Sequence, residues 1–255
     1  MQGPLWSARA QDWATIQEFT ALELYQSALP ALQLPSGAAV LDAGCGSGVF
    51  CALASQAGHR VTGLDASPAL LELARQRVPG GSFVGGDLEQ LPFANDAFDA
   101  VTGFNSFQYA ATPLLALQEA HRVLKPGGRL VMATWGRPED CEATAYFRAL
   151  GALLPPPPLG APGPFALSAD GAMAALTTQA GFTTVAELQA RSLWDYPDEA
   201  TALRGLLSAG PAVRAINHAG EAVVASAIRT VLAGFRQPSG RYQLKNIFRY
   251  VLVRK

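Results

Sequence analysis

The segment at residues 40–48, VLDAGCGSG, constrains the fold more than any other part of the sequence. An apolar run at 38–41 predicts a buried strand, and the stretch 49–57 predicts a helix. The alternating glycines between them permit a sharp turn and let a ligand lie against the main chain. The start of the helix offers unpaired N–H groups. Asp42, at the strand tip, would repel a pyrophosphate, so the segment predicts a ligand with a cationic end.

Two more predicted strands end in acidic residues at a regular interval. Asp65 follows the strand 60–64, and Asp87 follows the weaker strand 82–86. A nucleotide-binding unit needs an acid about 20 residues beyond its glycine turn, where it accepts hydrogen bonds from the ribose hydroxyls. The position of Asp87 suits a carboxylate beside the amino group of adenine. The three acids together predict a nucleoside ligand that also carries positive charge.

Strands and helices alternate through the first half of the chain, which is typical of a doubly wound parallel sheet. The remaining predicted elements of this half are strands at 98–104 and 128–135 and helices at 67–77 and 113–124. Residues 1–12 are expected to be loose, and 13–34 to be helical and ended by Pro30 and Pro35.

The second half has a less regular pattern. The proline-rich stretch 151–168 predicts a stiff, extended connector. It is followed by a predicted helix at 170–180, a strand at 183–193, two or three helices within 198–236 and a last strand at 241–253.

Five segments together give the chain a family resemblance: VLDAGCGSG (40–48), VTGLDAS (61–67), GGDLEQLPF (85–93), FDAVTGFNSFQYA (98–110) and EAHRVLKPGGRLVMATW (119–135). In order and spacing they resemble the class I methyltransferases that depend on S-adenosylmethionine (SAM), in particular the type 11 group, which acts mostly on small molecules. The resemblance implies an α/β, Rossmann-like, mostly parallel seven-stranded sheet with an antiparallel C-terminal strand and a helical lid. It divides the chain into an N-terminal helical cap at 1–36, a core at 37–196 and 239–255, and a lid insertion at 197–238.

The resemblance also implies the cofactor, SAM, its product S-adenosylhomocysteine, and the residues that bind them. The methionine end would meet Asp42, Ala43, Gly44, Cys45, Gly46 and Gly48. The ribose would meet Asp65 and Ala66, the adenine Asp87 and Leu88, and the sulfonium region Phe104 and Asn105.

The acceptor is expected to meet aromatic and polar side chains after the fourth and fifth strands. The candidate substrate-binding residues are Phe107, Gln108, Tyr109 and Trp135. Methyl transfer from a sulfonium is an in-line displacement, in which positioning and exclusion of water can supply much of the acceleration. The catalytic residues are therefore left open, with His218 and Tyr109 as weak candidates for a base. Gln108 stands near a position where some relatives carry a histidine, which argues against a histidine-assisted mechanism.

Composition limits the partners. Nineteen Lys and Arg balance 20 Asp and Glu, so no net basic field draws nucleic acid. The three cysteines have no metal-ligand or disulfide spacing, and no metal is expected. No signal sequence and no apolar stretch of membrane-spanning length is evident. The sequence thus predicts a cytoplasmic monomer or homodimer that acts on a small, fairly hydrophobic acceptor, away from the membrane.

Two other function classes stay open at this point. A protein that binds SAM or its product without methylating, or that uses SAM for different chemistry, would share the same cofactor motifs. An oxidoreductase that uses NAD or NADP would share the glycine turn, but it usually has Gly-x-Gly-x-x-Gly and no acid at the strand tip. Here position 49 is valine and Asp42 is present, so the oxidoreductase is the weaker alternative.

Overall fold

The structure is a computed structural model that describes residues 2–156 and 163–255. Within these ranges, seven strands form one sheet in the order β3-β2-β1-β4-β5-β7-β6. The strands are β1 (Ala39–Ala43), β2 (Arg60–Asp65), β3 (Ser82–Gly85), β4 (Phe98–Phe104), β5 (Leu124–Trp135), β6 (Thr183–Tyr196) and β7 (Tyr242–Arg254).

Helices cover the sheet and fill the connections between strands. They are α1 (Gly3–Ser7), α2 (Ala10–Asp12), α3 (Leu22–Ala31), α4 (Val49–Gln56), α5 (Pro68–Arg77), α6 (Pro113–Val123), α7 (Ala143–Gly151), α8 (Ala172–Gln179), α9 (Glu199–Leu207), α10 (Gly210–Ala219) and α11 (Glu221–Ala233). A π-helical turn at Trp13–Gln17 and a 3-10 turn at Glu18–Ala21 join α2 to α3. Two further 3-10 turns lie at Phe107–Tyr109 and Pro138–Asp140.

The strand order reverses beside β1, which pairs in parallel with both β2 and β4. Asp42 lies level with Gly63 of β2 and with Thr102 of β4. At such a switch point the connections leave the sheet in opposite directions and open a crevice at the carboxyl ends of the strands. Asp42, near the end of β1, and Asp65, at the end of β2, are therefore brought to the same edge of the sheet.

Side-chain alternation along β1 divides the core between the two faces of the sheet. Val40 packs into the cluster that contains α3 and α4, whereas Leu41 packs into the cluster that contains α6 and α8. Local sequence fixes where the helices begin. Ser67, for example, caps α5 by accepting a hydrogen bond from the Leu70 N–H at 3.2 Å, with Pro68 in the first turn.

The C-terminal third closes the sheet with antiparallel strands. β7 lies between β5 and β6 and is antiparallel to both, and β6 pairs with it from Thr183 to Tyr196. The three helices α9, α10 and α11 lie in the connection between β6 and β7. The expected seven-stranded, mostly parallel sheet with an antiparallel C-terminal strand is confirmed.

Several local expectations were wrong. Most of residues 3–12 is helical rather than loose, because α1 packs closely on the start of α5, where a Cβ on Gly3 would lie 2.2 Å from the Ala66 carbonyl oxygen. Pro30 does not end α3, which continues to Ala31. A proline in the last turn removes a single backbone hydrogen bond, so the helix can include it. Helix α7 was not predicted.

The predicted proline-rich connector is only partly described by the structure. Residues 157–162, which include Pro157, Pro158 and Pro162, lie outside the described residues. In the described remainder, Phe165 packs against Trp135 and Phe147, with ring centroids 6.1 and 5.6 Å apart. This part of the segment is thus packed against the core rather than extended away from it.

Among the described helices, none combines the length and the apolar character required to cross a bilayer.

Candidate cofactor and acceptor site

A cavity of about 700 Å³ lies at the carboxyl edge of the parallel strands. Its floor comes from residues that end or follow β1 to β5. The N-terminal segment between Gln2 and Tyr25 contributes a further side. Residues of α7, β6 and β7 and of the start of α10 complete the wall. The switch point beside β1 is therefore the place where the fold leaves room for a ligand.

Residues 44–48, which we call the glycine loop, follow β1. Their backbone contacts leave no room for a side chain at Gly44. The N–H groups of Gly44 and Cys45 both donate to the Leu64 carbonyl oxygen, at 2.7 and 3.0 Å. Gly44 has φ +87°, and a Cβ there would lie 2.4 Å from the Ser106 Cβ. Gly44 and Gly46 line the cavity, so a ligand can approach their main chain directly.

Asp65 ends β2 and lines the cavity together with Ala66. Its carboxylate accepts hydrogen bonds from the N–H of Gly46 at 2.9 Å and of Ser67 at 2.8 Å. Burial raises the pKa of this carboxyl, and the backbone donors lower it in part. Asp65 thus connects the glycine loop to the start of α5 and still faces the cavity.

Asp87 and Leu88 also line the cavity, beyond the end of β3. One Asp87 oxygen accepts from the Glu89 N–H at 3.0 Å. The residues expected for the ribose and for the adenine therefore line one continuous space.

Asp42 does not line this space. Burial raises its pKa to about 7. One oxygen accepts from the Thr102 hydroxyl at 2.8 Å, and the other contacts the Cys51 Sγ at 3.8 Å. The structure thus gives no support for the expected contact between Asp42 and a cationic ligand group, because both oxygens face protein partners inside the sheet edge.

Three other residues expected at the methionine end also lie outside the lining. Ala43 and Cys45 are buried in the two core clusters. Gly48, at φ +81°, begins α4 and would bring a Cβ within 3.1 Å of the Ala74 Cβ, so it serves the contact between helices.

A buried carboxylate that sequence reasoning missed lies over the glycine loop. Glu18 lines the cavity although it is only 4% exposed. Both its oxygens accept from the Ser47 N–H at 3.2 Å, and the Ser47 hydroxyl donates to it as well. Burial raises the pKa of Glu18 to about 7, while the Ser47 hydrogen bonds and the charge of Arg77 lower it in part.

The end of β4 and the turn that follows it contain both lining residues and buried ones. Phe104 and Asn105 line the cavity, and Asn105 adopts φ +51°, in the left-handed region. Gln108 donates from Nε2 to the Asn105 Oδ1 at 3.0 Å. Gln108 and Phe107 are buried and do not line the cavity. Gln108 therefore holds Asn105 in place rather than facing an acceptor.

The far side of the cavity is aromatic. Trp135 lies at its centre, with ring centroids 4.8 Å from Phe248, 5.3 Å from Phe147 and 5.8 Å from Trp194. The rings of Trp6 and Tyr109, which also line the cavity, have centroids 5.9 Å apart. We call the set Trp135, Tyr146, Phe147, Trp194 and Phe248 the aromatic wall.

The two candidate bases have different environments. Tyr109 lines the cavity, and burial raises its pKa to about 12. His218 is exposed in the last turn of α10 and is not among the lining residues. Only Tyr109 is thus placed to meet a ligand in this cavity.

Charge in the lining has one sign. The charged side chains around the cavity are the carboxylates of Glu18, Asp65, Asp87 and Glu89. No Lys, Arg or His of the described residues lines it. The same residues provide no group of three His, Cys, Asp or Glu side chains arranged to hold a metal ion.

Two curated proteins that this chain resembles in sequence are both methyltransferases. A malonyl-[acyl-carrier protein] O-methyltransferase from Erwinia pyrifoliae is 38% identical over 116 residues, 46% of this chain and 44% of that protein. A demethylmenaquinone methyltransferase from Paenarthrobacter aurescens is 38% identical over 108 residues, 42% of this chain and 43% of that protein. The chain thus matches less than half the length of these two curated relatives.

The fold and a family model agree with these relatives. The crystal structure of a putative methyltransferase from Bacillus halodurans superposes with a TM-score of 0.62 at 16% identity, covering 91% of this chain and 98% of that one. Residues 41–132 match the family model described as a methyltransferase domain. The chain carries a class I SAM-dependent methyltransferase domain. The family resemblance seen in the sequence is thereby confirmed.

The lining of this methyltransferase domain suits SAM chemically. A ligand with a sulfonium and an ammonium group is attracted by a cavity whose charged side chains are all acidic, whereas a pyrophosphate is repelled. Asp65 and Asp87 are carboxylate acceptors for hydroxyl and amine donors of an adenosine group. The bare backbone at Gly44 and Gly46 leaves room for the amino-acid end of the ligand.

Proposed function

We propose that the protein transfers the methyl group of SAM to a small, neutral and largely hydrophobic acceptor. The observation that carries the proposal is that one cavity joins a carboxylate-lined half to the aromatic wall. When bound, SAM supplies a methyl group already activated on a sulfonium, which an acceptor takes by in-line displacement. The protein then has to hold the acceptor in line and exclude water, which are roles that the aromatic wall can perform.

We propose that residues 1–36 form the cap and 197–238 the lid over the core at 37–196 and 239–255. The N-terminal segment contributes Trp6 and Trp13 to the cavity lining, and its Glu18 contacts the glycine loop. The insertion supplies Ala209 and Pro211 and packs on the cap, since a Cβ on Gly210 would lie 2.7 Å from the Trp6 ring. Together they would exclude water from the reacting atoms.

The lining favours a neutral ring over an anionic group as the acceptor. A malonyl group carries a carboxylate, which would meet four carboxylates and no cation in the described lining. A quinone-type ring, as in the demethylmenaquinone of the other relatives, could stack against Trp135 and Phe248 without an ion pair. We therefore place the acceptor among planar, uncharged molecules.

Tyr109 is the residue best placed to hold the polar atom of such an acceptor. With a pKa of about 12, its phenol stays neutral near pH 7 and can donate a hydrogen bond to an acceptor oxygen. It is therefore a hydrogen-bond donor in this proposal and not a general base. His218 is given no role, because its side chain is exposed away from the cavity lining.

A turnover assay separates this function from its alternatives. The purified protein is incubated with SAM and a panel of neutral phenols and quinols, with dicarboxylic acids of similar size as the matched set. We expect S-adenosylhomocysteine and a product heavier by one methylene, seen by mass spectrometry, with the neutral ring compounds alone. Binding of SAM without any methylated product would instead favour an accessory protein or a SAM-dependent enzyme with another reaction. Preferential methylation of the acids would contradict the proposed acceptor class.

The expected cytoplasmic location and the monomeric or homodimeric state stay predictions. Sedimentation of the purified chain with and without S-adenosylhomocysteine tests the second of them.

A further inference from the structure

The carboxylate of Glu18 reaches the cavity from a segment far from the glycine loop in sequence. It accepts hydrogen bonds from the N–H and hydroxyl of Ser47, and a Cβ on Gly46 would lie 2.9 Å from its Oε1. Glu18 is thus in contact with the loop on which the methionine end of SAM is expected to lie. A carboxylate held against this loop, in a nearly dry environment, needs a positive partner to be stable in its ionised form.

Arg77 supplies part of that positive charge but does not line the cavity. It donates to the carbonyl oxygen of Ser47 at 2.7 Å and to its hydroxyl, and it donates to the Ala14 carbonyl oxygen at 3.0 Å. Arg77 therefore links the N-terminal segment to the glycine loop from outside the cavity. On the cavity side, the described residues offer Glu18 no cation.

The backbone of this segment is built in an unusual way just where Glu18 lies. A π-helical turn at Trp13–Gln17 passes directly into a 3-10 turn that begins at Glu18. π-Helical turns are rare and are frequent at functional sites. The neighbouring side chain of Gln17 also lines the cavity and accepts from the Tyr196 hydroxyl at 2.7 Å. Contacts on both sides thus hold the segment in this irregular conformation.

We propose that Glu18, and not Asp42, binds the α-ammonium group of SAM. This rests on the proposed function, because it assumes that SAM is the ligand of the cavity. Asp42 is unsuited to the role, since Thr102 and Cys51 occupy its oxygens and its side chain does not line the cavity. Asp65 and Asp87 line the cavity where the nucleoside is expected, which leaves Glu18 as the acid beside Gly44 and Gly46.

A pair of ligands separates the contacts of the amino-acid end from those of the nucleoside, and the acidic side chain of Glu18 can favour only the ammonium group of that end. S-Adenosylhomocysteine carries the amino-acid end, whereas 5′-methylthioadenosine has the same nucleoside and sulfur without it. Calorimetric titrations with both ligands are made on the wild type and on the variants Glu18→Gln, Asp42→Asn and Glu23→Gln. Glu23 is an exposed acid of the same segment and provides the matched control. Thermal denaturation of each variant reports on folding.

We expect Glu18→Gln to bind S-adenosylhomocysteine about tenfold or more weakly, because a charge-assisted hydrogen bond is lost. Its affinity for 5′-methylthioadenosine should equal that of the wild type, which also shows that the nucleoside site is folded. Glu23→Gln should match the wild type with both ligands.

Three results would overturn the inference. The first is unchanged affinity of Glu18→Gln for S-adenosylhomocysteine. The second is an equal loss of affinity for both ligands, which would mean that Glu18 only shapes the loop. The third is a loss confined to S-adenosylhomocysteine in Asp42→Asn and absent from Glu18→Gln. If the wild type bound neither ligand, the proposed function itself would fail, and that result is distinct from the other three.

Discussion

Replacing Asp65 by alanine should weaken the binding of S-adenosylhomocysteine without unfolding the protein. Asp65 ends β2 and lines the cavity beside Ala66. Its carboxylate already accepts from the N–H groups of Gly46 and Ser67, at 2.9 and 2.8 Å. A bound ribose would add donors to the same two oxygens, so the side chain would serve the ligand and the loop at once.

The size of the effect follows from the kind of hydrogen bond that is lost. Hydrogen bonds to a charged group contribute about 1.5–3 kcal/mol. Because the two backbone donors share the carboxylate, we expect the loss to correspond to one such contribution rather than to two. This predicts a dissociation constant raised by about 10- to 150-fold.

Isothermal titration of wild type and variant with S-adenosylhomocysteine measures this directly. Glu187→Ala, which removes an exposed carboxylate from β6, is the matched control and should bind as the wild type does. Circular dichroism and thermal denaturation check that Asp65→Ala is folded. A folded Asp65→Ala variant with unchanged affinity would refute the placement of the ribose at the end of β2.

Three further predictions concern the loop, the aromatic wall and pH. Gly44→Ala should abolish binding of S-adenosylhomocysteine, because the added Cβ would lie 2.4 Å from the Ser106 Cβ. Gly37 also has a positive φ but has open space around it, so Gly37→Ala should retain binding in the same titration. Trp135→Ala should lower the free energy of unfolding in urea by about 3–5 kcal/mol, as large-to-small core substitutions do, and a loss below about 1 kcal/mol would contradict its place in the packed wall. Burial raises the pKa of Asp42 to about 7, so the folded protein holds a proton that the unfolded chain releases above about pH 4. Stability should therefore fall as pH rises from about 4 to 7, and Glu18, whose pKa burial also raises to about 7, contributes in the same direction. In urea midpoints measured against pH, Asp42→Asn should remove part of this fall, and an unchanged pH dependence would contradict the prediction.

The fold could be predicted from sequence because its signals are local. In β1 a short apolar run precedes Asp42, β2 ends at Asp65, and Ser67 with Pro68 marks the start of α5. Helix α7 was missed because it lies where the regular alternation of strands and helices ends. The N-terminal segment 2–12 was misjudged since its helices depend on packing against α5, at the Ala66 carbonyl, rather than on their own periodicity.

The site could be predicted only in part, and the reason is side-chain direction. Strand ends place Asp42, Asp65 and Asp87 at one edge of the sheet, but sequence does not show that Asp42 points toward Thr102 of the next strand. Glu18 meets Ser47 across 29 positions of the chain, a contact that no local pattern indicates. Glu18 and Glu23 are the two acids of an otherwise uncharged stretch at 13–34, a signal that could have drawn attention to both without separating them.

The central claim is that the acidic half of the cavity is a site for SAM. One calorimetric experiment, in which the purified wild-type protein is titrated with SAM, S-adenosylhomocysteine, NAD and NADP, tests it most directly. We predict saturable binding of the two adenosyl-sulfur ligands and none of the dinucleotides, because carboxylates line the cavity where a pyrophosphate would have to lie. Preferential binding of NAD or NADP, or no binding of SAM and S-adenosylhomocysteine, would contradict the account.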